Sequence, residues 1–239
     1  MTIYGINPVF EALKAGRVVS VHLVPGRRGR LEAIRERAAA DGIEVRDATP
    51  VELDRLARSA EHQGVVAQVR ETEAWTVERL VRASDEPSLL VVLDGIEDPH
   101  NVGAIIRTVD AAGAGGVIRQ TRHAAPLGGA AAKASAGAVA HVRVADVVNI
   151  ARSLDELAGL GVWTVGLDAE APETYDEVDW RLPSAIVLGA EGPGLRRLVR
   201  ERCDRLVSIP MRGRVSSLNV SATAAIVLFE AVRQRRHRA

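Results

Sequence analysis

The sequence predicts an α/β protein: a mostly parallel sheet in the C-terminal two-thirds, preceded by a smaller α/β domain. The first observation is a series of short apolar runs from residue 87 onward. They are SLLVVLD (88–94), GGVIR (115–119), HVRV (141–144), GVWTVGL (161–167), AIVLG (185–189) and RLVSI (205–209). Runs with no polar alternation are expected of parallel strands covered on both faces. The second observation is what lies between them, stretches of helical character at 102–112, 128–136, 146–159, 194–202 and 219–235. Strand and helix in strict alternation make a parallel α/β sheet. The third is that residues 1–70 carry a shorter alternation of their own. NPVFEALKAG has helical spacing, with Asn7 as N-cap and Pro8 at the first helical position. SVHLV (20–24) is a strand, 30–41 a helix and IEVR a short strand. TPVELDRLA repeats the cap-and-proline start, and VVAQV (65–69) closes the domain as a strand. The polar stretch 71–86 is expected to be a linker, which gives domains at 1–70 and 87–239.

Composition narrows the class. With 239 residues, 47% hydrophobic and 26% charged, the chain has an ordinary globular make-up. Aromatics are 3%, so the core rests on Val, Leu, Ile and Ala. No apolar run reaches the roughly 18–20 residues that span a bilayer. The start MTIYGINPVF lacks the basic and apolar regions of a signal peptide. A cytoplasmic protein away from membranes is the expectation, and the single Cys203 agrees with it. The 31 basic and 31 acidic residues cancel, so the average shows no electrostatic footprint of a nucleic-acid binder. Distribution says more: all the basic residues but Lys14 and Lys133 are arginines. They cluster at Arg27, Arg28 and Arg30, and again at Arg233, Arg235, Arg236 and Arg238. Arginine forks match phosphate geometry, although a solvated tail reads the same way. The six histidines have no metal-ligand spacing with Cys203, and no metal is expected. No GxSxG elbow occurs, and LDGIEDP stands where a Rossmann-type fold would carry its glycine-rich loop.

Three loops follow three of the expected strands, where open α/β sheets bind ligands. LDGIEDPHNVGAIIRTVDAAG (93–113) holds Asn101 near a helix start and Arg107 six residues on. A helix N-terminus with a guanidinium nearby suits an anionic group, while Asp98 or Asn101 also suits plain capping. LGAEGPGLRRL (188–198) sets Glu191 among Gly189, Gly192 and Gly194, glycines that let backbone turn tightly and approach a ligand. IPMRGRVSSLNVSATAAIVLFEAV (209–232) brings Ser216, Ser217, Asn219 and Ser221 to the entry of the last helix. One of these caps that helix, and capping alone does not call for the whole run. His100 is the one histidine near these loops, and Lys133 is expected on a helix surface.

Together, in this order, the three loops resemble the SpoU/TrmH family of RNA ribose 2′-O-methyltransferases in the SPOUT superfamily. NxGxxxR from Asn101 to Arg107 is similar to that family's first motif, GAEGPG to its second and IPMRGRVSSLNVS to its third. The match spans roughly 90–235. IYGINPVFEAL and EHQGVVAQV further resemble the L30e-like substrate-recognition domain of the subgroup that methylates a guanosine of 23S rRNA.

The resemblance implies a deep trefoil knot, a homodimer packed through the knotted domains, and S-adenosylmethionine as methyl donor. It implies a donor site at Gly189, Gly192, Gly194, Ile209, Met211, Leu218 and Ser221. It assigns catalysis to Arg107, with Asn101, Glu191, Ser217 and Asn219 positioning that arginine and the ribose. A guanidinium with a pKa above ~12 is a poor base, so Arg107 is expected to hold the target phosphate and stabilise the developing alkoxide. Glu191 is the alternative base, although a free Glu titrates near ~4.3. The implied substrate is 23S rRNA or a pre-ribosomal large subunit. Within the same family stand enzymes that modify another rRNA nucleotide for antibiotic self-resistance, and tRNA enzymes. Outside it stands a non-catalytic rRNA-binding assembly factor, against which the intact Asn101, Arg107, Glu191 and Asn219 set argues.

Overall fold

The computed structural model describes residues 1–26, 29–70, 74–85, 87–122 and 124–236. Arg27 and Arg28 of the first arginine cluster, Arg238 of the second, His123 and His237 lie outside the described residues. In chain order the first elements are β1 (Thr2–Tyr4), α1 (Ile6–Lys14), β2 (Val18–Leu23), α2 (Arg30–Ala40), β3 (Glu44–Asp47), α3 (Pro50–Ala57), β4 (Val65–Val69) and α4 (Val77–Ala83). There follow β5 (Leu89–Asp94), α5 (Pro99–Ala112), β6 (Gly116–Gln120), α6 (Gly129–Ala134), a 3-10 turn (Ala138–Ala140), β7 (Val144–Val147), α7 (Ile150–Gly159) and β8 (Trp163–Leu167). The last are β9 (Glu173–Thr174), β10 (Ser184–Gly189), α8 (Arg197–Arg202), β11 (Arg205–Ser208) and α9 (Val220–Arg236). Among the described residues no helix is long and apolar enough to cross a membrane.

The chain divides into two compact units, and the smaller is discontinuous: Met1–Glu73 together with Pro126–His141. Its four strands run in the order β1-β4-β2-β3, with β4 antiparallel to both neighbours and β2 parallel to β3. Val9, Leu13, Val21, Leu23, Ile34, Val65 and Ala67 form its core, and Ala132 of α6 belongs to the same cluster. Small residues let the 126–141 segment come in close. At Gly137 (φ +99°) a Cβ would stand 2.7 Å from the Glu11 side chain. Arg17 Nη1 donates to the Val139 carbonyl at 3.1 Å, His141 Nε2 lies 3.1 Å from Glu11 Oε2, and the Lys133 ammonium pairs with Glu61. The helix 128–136, expected beside the large sheet, therefore packs in the small unit.

The larger unit comprises Ala74–Ala125 and Val142–Ala239. Its seven strands run β7-β6-β5-β10-β8-β11-β9, and every neighbouring pair is parallel. All six residues of β5 are buried, as an apolar run in a doubly covered strand requires. Leu90, Val92, Ala185 and Val187 pack with α4, α7 and α8 through Leu80, Leu154, Leu157 and Val199. Strand alternation turns Val91, Leu93, Ile186 and Leu188 to the opposite face, and α9 packs both on β10 and on α5. The chain steps from β5 through β6 to β7, then returns to build the other half. The strand order thus reverses between β5 and β10, where open sheets form their ligand crevice.

Five of the six apolar runs are strands; HVRV, expected at 141–144, is not, and β7 instead runs Val144–Val147, sharing only Val144 with it. The two- and three-residue strands β9 and β1 are too short to show a period. Asn7 does not cap α1. The chain turns out of β1 at Gly5 (φ +96°), the helix starts at Ile6, and the free Ile6 N–H is taken by Gln63 Oε1 at 3.0 Å. Asn7 instead accepts from Arg30 Nη1 at 3.0 Å. The stretch 71–86, expected as a linker, contains α4. Thr76 caps it by accepting from the Arg79 N–H at 3.1 Å, and Trp75 stacks under the guanidinium of Arg79 at 4.1 Å. Val77 and Leu80 are buried in the sheet unit's core.

Leu80→Ala is expected to cost about 2–5 kcal/mol, the range for truncating a fully buried leucine. A shift in the urea unfolding midpoint measures it; a change within ~0.5 kcal/mol would return α4 to linker status.

Candidate active site

The loop leaving β10 is shaped by three glycines for two reasons. Gly189 sits against the returning backbone of the same loop: a Cβ there would lie 2.2 Å from the Gly194 carbonyl carbon and 2.3 Å from the Leu195 nitrogen. Gly192 (φ +84°) and Gly194 (φ +69°) occupy the left-handed region that side chains disfavour. The Gly194 N–H closes the turn onto the Ala190 carbonyl at 2.9 Å. Glu191 is thereby held at the tip of a narrow, rigid loop.

Asn219 caps α9. Its Oδ1 accepts from the Ser221 N–H at 2.9 Å and from Ser221 Oγ at 2.6 Å. Because capping uses its oxygen, its amide nitrogen must face acceptors. It donates to Glu191 Oε1 at 2.8 Å and to Asn101 Oδ1 at 3.0 Å. Asn101, buried in the first turn of α5, donates its own Nδ2 to Glu191 Oε1 at 3.0 Å. Three side chains from three loops thus close one ring of hydrogen bonds. Asp98, with Pro99 behind it, caps α5 and leaves the Asn101 amide for this ring.

Beside the ring opens a cavity of about 420 Å³, within the range of small-molecule sites. Gly189, Gly192, Gly194, Ile209, Met211 and Leu218 line it, as do Ser217 and Glu191. Ser221 does not; it braces Asn219. Leu167 and Asp168 at the end of β8, Ser208 and Thr223 complete the wall, and the sequence reading missed them. The signal was available for Asp168, which follows the apolar run GVWTVGL at a strand's carboxyl end. Arg200 Nε holds its carboxylate at 2.5 Å. The walls mix apolar side chains with backbone groups at the glycines and a few hydroxyls, a donor and acceptor set that suits a nucleoside.

Arg107 is placed apart. It is exposed on α5, makes no hydrogen bond or ion pair among the described residues and lines neither this cavity nor its neighbour. Six residues of helix set it about 9 Å along the axis from Asn101 and on a different face. His100 is exposed as well. The setting of two further groups, Asp94 and the partly buried Cys203, is not legible in the sequence. The Asp94 carboxylate, fully buried at the end of β5, accepts the Arg196 N–H at 2.9 Å and Arg196 Nε at 2.7 Å. Burial pushes the Cys203 thiol up to about 12, with Asp204 and Asp94 adding to it, so the thiol is inert at neutral pH.

Residues 88–229 match the SpoU rRNA methylase family, and residues 2–75 match the RNA 2′-O ribose methyltransferase substrate-binding domain. The chain belongs to the SpoU rRNA methylase family. It is 43% identical over 240 residues to the 23S rRNA (guanosine-2′-O-)-methyltransferase RlmB of Shewanella oneidensis, covering 98% of this chain and 97% of that protein. To RlmB of Pseudomonas putida it is 42% identical over 239 residues, covering 98% and 96%. Among solved structures it resembles the SpoU methyltransferase AviRb from Streptomyces viridochromogenes in complex with AdoMet. There the TM-score is 0.83 at 30% identity, over 99% of this chain and 90% of that one. SpoU membership agrees with the α/β class and the small N-terminal unit expected from the sequence.

Gly189→Ala tests the close approach in the β10 loop. Forcing a methyl group into backbone is expected to destabilise the protein by about 1–3 kcal/mol and to deform the cavity. An unchanged melting temperature would show that the loop has room.

Proposed function

We propose that this protein transfers a methyl group from S-adenosylmethionine to a ribose 2′-hydroxyl of a guanosine in 23S rRNA. The ring joining Asn101, Glu191 and Asn219 on the lip of a nucleoside-sized cavity carries the reading. The identity to RlmB proteins supports the guanosine and the 23S rRNA. The donor supplies a methyl group on a cationic sulfur. Its nucleoside fits the cavity at Gly189, Ile209 and Leu218, with Gly192, Gly194 and Met211 around it and Ser221 holding Asn219 behind.

The chain's own residues then have distinct tasks. Asn101 and Asn219 fix the Glu191 carboxylate through one oxygen, which orients it toward the ribose, and Ser217 adds a hydroxyl on the same wall. A 2′-hydroxyl attacks only as its proton leaves, so positive charge is needed where the alkoxide develops. Arg107 supplies it. Its guanidinium is taken by no carboxylate among the described residues, so it is available to hold the target phosphate, which assists proton loss. Arg107 stands apart from the ring on the same helix, so the RNA strand spans the two at the surface of the sheet unit, a phosphate at Arg107 and the ribose at the ring. The protein works as a homodimer packed through this unit, where Phe229 of α9, 47% exposed, is a side chain such packing would cover. The 189–194 loop and the 209–219 run form a trefoil knot around the donor, and the enzyme acts in the cytoplasm on naked rRNA or a pre-ribosomal large subunit.

Labelled donor incubated with unmodified 23S rRNA, 16S rRNA and tRNA is expected to mark a guanosine of 23S rRNA, read as a gap in the alkaline cleavage ladder. No gap in any RNA sinks the proposal. Arg107→Ala is expected to lower methyl transfer by at least ~100-fold while donor affinity by calorimetry stays within about twofold. Substantial surviving turnover removes Arg107 from catalysis. A monomer by light scattering at working concentration overturns the dimer.

A further inference from the structure

Every strand of the seven-stranded sheet runs parallel to its neighbours, so all the carboxyl ends meet at one edge. Asn101 and Glu191 of the ring follow β5 and β10, which stand near the middle of the order β7-β6-β5-β10-β8-β11-β9. Four further arginines leave the same edge. Arg152 lies in the first turn of α7, after β7, and Arg122 follows β6. Arg212 and Arg214 lie on the run after β11. In the strand order, two stand on one side of the ring and two on the other.

All four are exposed, and none of their guanidiniums makes a hydrogen bond or ion pair among the described residues. Other arginines near this edge are engaged. Arg119 meets Asp146, Arg196 meets Asp94 and Arg200 meets Asp168. Those pairs also occupy carboxylates that would otherwise offset the free cations. The fold itself draws no benefit from the four charges. Arg152 even stands at the positive end of the α7 dipole, where a cation is disfavoured. An anion held there gains from the dipole and the guanidinium together. Met211, Ser216 and Ser217 line the donor cavity, so Arg212 and Arg214 stand on its rim.

We propose that a single strand of the RNA crosses this edge from β7 to β11, its phosphates on Arg152 and Arg122 to one side of the target ribose and on Arg212 and Arg214 to the other. This rests on the methyltransferase reading above and adds the track that holds the strand across the ring. From β7 to β11 is five strand spacings, about 24 Å at ~4.8 Å each, so the track takes several consecutive nucleotides. A guanidinium fork matches the phosphate oxygens, and a free one has no carboxylate to give up first. Contacts to phosphate fix the position of a strand without reading its bases. The track therefore sets where the strand lies, and the choice of nucleotide is made elsewhere.

The test measures binding of the full-length protein to an unmodified 23S rRNA transcript at potassium chloride from about 50 to 200 mM. The Arg122→Gln/Arg152→Gln and Arg212→Gln/Arg214→Gln variants are each expected to flatten the slope of log affinity against log salt by about 1.4, at roughly 0.7 for each phosphate lost. In turnover, KM for RNA is expected to rise while kcat holds within about twofold, as when uniform binding is removed. Arg236→Gln is the control. Its guanidinium is equally free, but it ends α9 at the opposite edge, where the neighbouring Arg235 reaches the Pro87 and Ser88 carbonyls ahead of β5. That variant is expected to leave the slope unchanged. Double variants folded by circular dichroism with wild-type slopes overturn the track. So does a loss confined to one pair, or an equal loss in Arg236→Gln. A wild type that methylates no RNA removes the parent reading, and the slopes still decide whether a strand crosses this edge.

Discussion

Asp94 ends a wholly buried strand with a carboxylate that water does not reach, and the loops around it answer that charge. An unpaired carboxylate there would cost several kcal/mol, and removing one partner of a buried pair costs about 3–5 kcal/mol. The partner comes from 102 residues away: Arg196 donates both its backbone N–H and its guanidinium. One carboxylate thus fastens the end of β5 to the chain just after the glycine loop of β10. That places Glu191, on the same loop, within reach of Asn101 on α5. The pairing of Asp94 and Arg196 is structural in origin, and its consequence is catalytic geometry.

A second constraint fixes the loop from inside. Gly189 is still strand, and backbone of residues 194 and 195 lies where its side chain would be. The loop therefore folds flat on its own stem, and the left-handed Gly192 and Gly194 are what allow the reversal. A loop so tight has few alternative shapes, so the Glu191 carboxylate is oriented before any ligand arrives. Preorganised polar groups need no rearrangement as charge develops, which is where electrostatic catalysis draws its advantage. Asn219 shows the same economy, since its oxygen caps α9 while its nitrogen joins the ring.

Much of this was legible in the sequence because parallel strands announce themselves. SLLVVLD and AIVLG lack any polar alternation, and each became a strand within a residue of its expected place. The three motif loops were legible because their glycines, asparagines and serines exceed what capping requires. Other features were hidden for physical reasons. The pairing of Asp94 with Arg196 joins residues too far apart for any local pattern. The capping of α1 by Gly5 and Gln63 depends on a tertiary contact, so the local Asn7-Pro8 signal misled. VERLVRA is a single pair of turns, too short for helical period to stand out from a polar linker. The passage of 126–141 into the small unit is encoded only in small residues such as Gly137, which read as a featureless alanine-rich stretch.

Net charge was the least informative number, and the structure explains why. Carboxylates occupy many of the arginines of the sheet unit: Arg119 pairs with Asp146, Arg196 with Asp94, Arg200 with Asp168, Arg202 with Asp155, Arg205 with Glu173 and Arg233 with Glu230. Such pairs cancel in the field that an approaching polyanion meets. Arg107 on α5, and Arg212 and Arg214 on the 209–219 run, are exposed and make no hydrogen bond or ion pair among the described residues. They flank the ring of Asn101, Glu191 and Asn219 in sequence, on the first and third motif segments. A phosphate contact gains most from a guanidinium that has no carboxylate to leave. Electrostatic selection for RNA in this protein therefore resides in which arginines are left unpaired, a property of the folded chain that a count of charges cannot express.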